Sequence, residues 1–200
     1  MTRGREPVVE LAVVGDLTDQ ESDVTAKLLE IPCGGECVIY FDTPGGSPYS
    51  GMAIMSLLLL RDIAATAVVT GECSSAALWP LAACRRRLVT PFSVLLFHPM
   101  KWQSEENVGL LEAREWARHF GTLETDMDRL LAHLFRVEDQ LIAQWMKPGR
   151  YVSGPEMVEA GMAELIELEP LSKLRTSAKA INEPRKPRRT AKESGKRSRR

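Results

Sequence analysis

The sequence predicts an α/β fold built on a largely parallel sheet. Short runs rich in Val, Leu and Ile alternate with apolar or amphipathic segments of helical length. The connections between them are short and carry Gly, Pro, Asp and Ser. Alternation of this kind is the mark of strand–helix–strand units, in which helices cover the faces of parallel strands. No internal repeat interrupts it.

Each element has its own local reason. Val8–Val14 is apolar and β-branched and stops at Gly15-Asp16, as a buried strand does. Asp19–Glu30 places Val24, Leu28 and Leu29 on one side of a helix. Val38–Phe41 is a second strand, broken by Asp42-Thr43-Pro44-Gly45-Gly46-Ser47. Tyr49–Asp62 is a mostly apolar helix, and Ala67–Thr70 a third strand cut by Gly71. Ala76–Ala83 is a short apolar helix, after which Cys84–Leu88 leads to a turn at Thr90-Pro91. Ser93–Phe97 is a strand ended by His98-Pro99. A long amphipathic helix is expected from Asn107 through Arg136, and another from Glu138 to Met146, stopped by Pro148-Gly149. Ser153-Gly154-Pro155-Glu156 begins a short helix to Ala160, where Pro155 suits the first turn, and Ala163–Leu168 is the last strand.

Charge divides the chain in two. Residues 173–200 hold twelve Lys and Arg against two Glu, whereas the preceding 172 hold fourteen basic and twenty-five acidic residues. The tail lacks apolar periodicity and cannot bury enough surface to fold, so a globular domain over 1–172 and a disordered basic tail over 173–200 are expected. The tail is either a solvated appendage or a holder of nucleic acid or an acidic surface; elsewhere no nucleic-acid partner is expected. Four cysteines at 33, 37, 73 and 84 are too few for a disulfide framework, which points to a reducing, cytoplasmic setting. The Cys33/Cys37 spacing has no matching Cys or His pair, so no metal site is expected. No signal-peptide stretch or membrane span is visible, and no cofactor is expected.

The strongest chemical signal is strand, then Gly71-Glu72-Cys73-Ser74-Ser75, then helix. A hydroxyl there lies at the positive end of a helix, where developing negative charge is stabilised; Ser74 and Ser75 equally suit helix capping. Pro44-Gly45-Gly46 follows another strand and fits either a tight turn or a backbone donor to a ligand. His98 ends a third. Ligands of open α/β sheets bind beyond the carboxyl ends of strands, and Gly46, Ser75 and His98 all fall at such ends. His119 and His133 lie within the long helix and read as helix-face residues.

Four blocks carry a resemblance: Thr43–Gly51, Gly71–Ala76, Leu96–Pro99 and Tyr151–Met162. Together they resemble, in order and at near-family spacing, the proteolytic subunit of the Clp protease over roughly Val8 to Glu167. The resemblance implies a serine peptidase of the crotonase-type α/β spiral fold, with the long helix as a handle joining subunits into rings. Ser75 then matches the nucleophile, His98 the general base, and Gly46 and Ala76 the backbone donors of the oxyanion hole. The implied substrate is a peptide or an unfolded protein, and self-association into rings of six or seven subunits, single or doubled, is expected.

Three departures from the family pattern follow. Gly149 stands where the family has the orienting Asp, so weak activity is expected; Asp139 or Glu138 would have to reach His98 by another route, for which the sequence gives no support. Pro99-Met100-Lys101-Trp102 replaces a Gly-rich strand that pairs with substrate and joins rings. Few residues precede Val8, which counts against docking to an AAA+ ATPase unfoldase. The alternatives are a catalytically inactive ring subunit, an acyl-CoA-handling enzyme of the same fold, and a binding module led by the tail. The Ser75–His98 pair opposes the acyl-CoA reading.

Overall fold

The structure, a computed structural model, describes residues 8–101, 107–166 and 168. The basic segment 173–200 lies outside the described residues; the compact unit that contains the sheet runs to Ile166.

The first strand, β1 (Val9–Val14), turns Leu11 and Val13 inward. Helix α1 (Leu17–Glu30) opens where the Asp16 carboxylate accepts the Thr18 N–H at 2.8 Å, satisfying one of the orphan donors of a helix start. Strand β2 (Glu36–Thr43) alternates cleanly, with Cys37, Ile39, Phe41 and Thr43 buried. Helix α2 (Pro48–Leu60) starts at the Ser47 cap with Pro48 in its first turn. Strand β3 (Ala64–Cys73) leads into a 3₁₀ turn, Ser75–Ala77, and helix α3 (Leu78–Ala83). Then come β4 (Arg86–Val89), β5 (Val94–Phe97), α4 (Leu110–Phe135), α5 (Asp139–Met146), β6 (Arg150–Ser153), α6 (Gly154–Glu159) and β7 (Glu164–Leu165).

The parallel order is β1-β2-β3-β4-β7. Strand β3 also reaches a second direction: beyond Gly71, Glu72 pairs with Val94 of β5, and β5 pairs antiparallel with β6. The sheet therefore bends at β3, and the segment after Cys73 emerges between the ends of β2 and β5. Fully buried Phe41, Phe97, Phe135, Leu17 and Leu28 are among the largest core side chains. The fold class expected from the sequence is the one observed.

Some local expectations are corrected. Arg150–Ser153, where no strand was expected, forms β6 because β5 offers it backbone partners from Val94 to Phe97. The stretch after Cys84 is a paired strand, Arg86–Val89, against β3 and β7. The long helix is shorter than expected at its start: Asn107–Gly109 lie outside it, and Arg136, at φ 61°, closes it in the left-handed region. Its apolar stripe is also not one continuous open face. Met127, Leu131 and Phe135 are buried in the chain's own core, while no residue of Leu110–Asp126 is buried and Leu110 and Leu111 are 69% and 79% exposed. The front of a helix about 39 Å long is thus left largely open to solvent.

Candidate active site

The turn after β2 forms one wall. Gly45 has φ +98°, and a Cβ placed on it would stand 2.6 Å from the Ser74 carbonyl oxygen and 2.7 Å from Ser75 Cβ. Only glycine lets these two loops touch. The turn is fastened on both sides of Gly46: the Gly45 N–H donates to Thr43 Oγ1 at 3.1 Å and the Ser47 N–H to Thr18 Oγ1 at 2.8 Å. Among the described residues no acceptor takes the Gly46 N–H.

The two serines after β3 have separate fates. Ser74 is 1% exposed, and its Oγ donates to Glu72 Oε1 at 2.6 Å while accepting the Leu96 N–H at 2.9 Å, so it ties β3 to β5. Neither serine side chain caps the helix: Ser74 stands at the N-cap of the 3₁₀ turn and Ala77 at that of α3, and neither cap has a side-chain bond. Ser75, half-buried, takes φ 56°, an uncommon value for a non-glycine residue that costs on the order of 1–3 kcal/mol. Its conformation swings the side chain away from the course of β3 at the start of the 3₁₀ turn and α3.

His98 follows β5, whose Phe97 is held by an edge-on contact with Trp145 at 5.0 Å and a tilted one with Phe135 at 6.4 Å. Its Nδ1 lies 2.6 Å from the Pro99 carbonyl oxygen. A carbonyl only accepts, so Nδ1 is the donor here, and in the neutral ring that tautomer leaves the lone pair on Nε2. Across the β5–β6 pairing, where Phe97 faces Arg150, Gly149 stands beside His98: a Cβ there would be 3.4 Å from His98 Cβ. A side chain there would start beside His98, yet Gly149 holds φ +122°, which L side chains rarely adopt. Glu138 and Asp139 begin α5 and do not line the pocket.

Ser75, Ala76, Gly46 and His98 line one pocket of ≈ 130 Å³, with Pro48, Trp79, Met100, Lys101, Met146 and Asp128. All four residues singled out in the sequence are thus brought together. Asp128 was not foreseen. It sits beside Met127 and one turn from Leu131 on the stripe by which α4 packs, and an acid within such a stripe is the only local sign of it.

Burial, helped by the neighbouring Glu124 and opposed by Lys147, pushes the Asp128 carboxyl up to about 6. A carboxyl raised in the folded state favours folding below its ordinary value, 3.8, and loses that contribution as the pH rises through 6. Discounted for partial exposure, the ionised group costs about 1 kcal/mol at neutral pH. Asp128→Asn should therefore raise the melting temperature by about 3 °C at pH 7.5 and by much less at pH 4.5. Calorimetry at both values checks this, and an equal gain at both pH values would refute it.

A spiral α/β body whose β2, β3 and β5 ends converge on one pocket defines the class: a protein with a peptidase-like fold. The family model of the Clp protease matches residues 13–169, and the chain belongs to that family. A ClpP1 mutant from Listeria monocytogenes has a similar fold, with a TM-score of 0.69 at 18% identity over 80% of this chain and 92% of that one. No curated protein matches the sequence.

Proposed function

We propose that the chain is a slow serine peptidase that works in a self-assembled ring. The observation that carries this reading is the meeting of Ser75, His98, Gly46 and Ala76 at one pocket from separate stretches of the chain. In the proposed cycle His98 Nε2 takes the Ser75 hydroxyl proton as Oγ attacks a peptide carbonyl. The carbonyl oxygen becomes an oxyanion facing the N–H groups of Gly46 and Ala76. Collapse breaks the C–N bond, and the imidazolium returns its proton to the departing amine. Water, deprotonated by the same nitrogen, then hydrolyses the acyl-enzyme. Reaction of Ser75 with a fluorophosphonate, located by peptide mass mapping, tests the reading; a folded protein that never reacts favours the inactive-subunit alternative. Gly149 favours that second reading, because it leaves His98 without an aligned carboxylate.

The assembly part rests on the first half of α4, where Leu110 and Leu111 lie side by side and largely exposed, an apolar surface that a neighbouring subunit would cover. A ring-sized particle is expected by light scattering at micromolar concentration, and a monodisperse monomer would refute it. An ATPase partner is not part of the proposal.

The cytoplasm suits a chain whose four cysteines are free, three of them buried. Burial pushes the Cys37 thiol up to about 11 and those of Cys73 and Cys84 upward as well, so they stay protonated and inert. No helix among the described residues is long and apolar enough to cross a membrane. The proposed division, domain 1–172 and tail 173–200, makes the tail dispensable for folding. Truncation after Ser172 should leave oligomer size unchanged and move the melting temperature by less than about 5 °C; a larger fall would mean that the tail packs on the body.

A further inference from the structure

We infer that the pocket beside Ser75 selects a lysine or arginine side chain on the residue whose carbonyl is attacked, with Asp128 receiving the cation. The inference rests on the peptidase reading for the place of the attacked carbonyl, but its chemistry is that of the pocket itself.

Pro48, Trp79, Met100 and Met146 give the pocket apolar walls, and Asp128 is the acid among its lining residues. Lysine and arginine match that combination, since their stems are apolar and only the tip is charged. A cavity of roughly 150 Å³ holds a benzene-sized group, so ≈ 130 Å³ takes one side chain rather than a longer stretch of peptide.

Asp128 is available for a ligand. Among the described residues it makes no hydrogen bond or ion pair. The nearby charges do not satisfy it. Lys147 favours the ionised form of Asp128 but makes no ion pair with it, its ammonium lying 3.8 Å from Glu124 Oε1, and Lys101, though a lining residue, is exposed. Glu124 adds negative charge on the same helix. His98 offers no competing role, because its Nδ1 proton is taken by the Pro99 carbonyl. A half-buried carboxylate lacking a partner carries a desolvation cost that an entering cation offsets, whereas a norleucine side chain of similar length does not. An acidic side chain meets repulsion. The expected order is Lys and Arg first, neutral aliphatic next, and Asp and Glu last.

The test uses full-length Ser75→Ala, which cannot turn peptide over, and peptides of one sequence ending in lysine, norleucine or glutamate. Calorimetry at pH 7.5 should give the lysine peptide at least tenfold tighter binding than the norleucine peptide, with the glutamate peptide weakest. Adding Asp128→Asn should bring the lysine-to-norleucine ratio close to one while norleucine binding persists. Lysine binding no tighter than norleucine, both undetectable included, overturns the inference. So does a lysine preference that survives Asp128→Asn. Labelling of the wild type by a neutral fluorophosphonate reports on the peptidase reading separately. A lysine preference without labelling sinks that reading alone, and labelling without the preference sinks this inference alone.

Discussion

Ser75→Ala should abolish labelling by a fluorophosphonate probe, and Ser74→Ala should keep most of it. The two serines are neighbours, so the expectation rests on what each hydroxyl touches. Ser74 Oγ spends its proton on Glu72 and a lone pair on the Leu96 N–H, in a site shut off from solvent. Freeing it for attack would leave the part-buried Leu96 N–H without its partner, a penalty of about 1 kcal/mol. Ser75 has no such ties among the described residues and opens on the pocket. Its φ of 56° is an observed outlier of the kind that accumulates where function over-determines the backbone. The two variants should also differ in stability in the opposite sense to activity. Ser74→Ala should lose about 1–2 kcal/mol in denaturant unfolding, because the bridge between β3 and β5 disappears. Ser75→Ala should stay within about 0.5 kcal/mol of wild type, as partly exposed positions without buried partners do. Labelling that survives in Ser75→Ala and vanishes in Ser74→Ala, at equal stability, would reverse the assignment.

What the sequence made legible was mostly local. Alternation in Cys37-Val38-Ile39-Tyr40-Phe41 and the short apolar runs around it announce strands, and glycine or proline at their ends announces turns. The candidate residues were legible for the same reason, since each sits at a strand end where the chain changes direction. What stayed hidden depends on distant partners. The strand Arg150–Ser153 exists because β5 runs alongside it, and four residues carry too little pattern to foretell that. Asp128 reaches the pocket only because α4 packs its second half over the core, a fact of tertiary geometry rather than of spacing. The long helix is amphipathic throughout in the sequence, yet the second half of its apolar stripe is covered by its own chain. A sequence shows that a helix is amphipathic but not which partner meets it.

Peptide turnover should fall far below the ~10 s⁻¹ of a typical enzyme, because a neutral carbonyl does the work of a carboxylate. The Pro99 carbonyl, 2.6 Å from His98 Nδ1, favours the tautomer that in the proposed cycle leaves Nε2 free to accept the Ser75 proton. One of the two tasks of a triad acid is therefore met. The other is not: when His98 becomes an imidazolium during attack, a dipole stabilises it less than a full negative charge. Loss of the acid from a serine triad typically costs about 10⁴ in turnover, and much of that loss reflects the wrong tautomer. Retaining the tautomer should recover part of it, so turnover about 10²–10³ below a triad enzyme is expected, together with full reaction of Ser75 toward activated probes. Gly149→Asp brings a carboxylate to the side of His98, where a Cβ would be 3.4 Å from His98 Cβ. At φ +122° the new side chain also strains the backbone, by on the order of 1–3 kcal/mol. The variant should melt lower and yet gain activity per folded molecule if the segment relaxes to present the carboxylate to Nδ1 in place of Pro99. Steady-state kinetics on fluorogenic peptides, normalised to the fraction of Ser75 that a probe can label, separates the two effects. Wild-type turnover already near ~10 s⁻¹ would overturn the account. Substituting Asp128, Glu138 and Asp139 in turn would then identify the acid that serves His98.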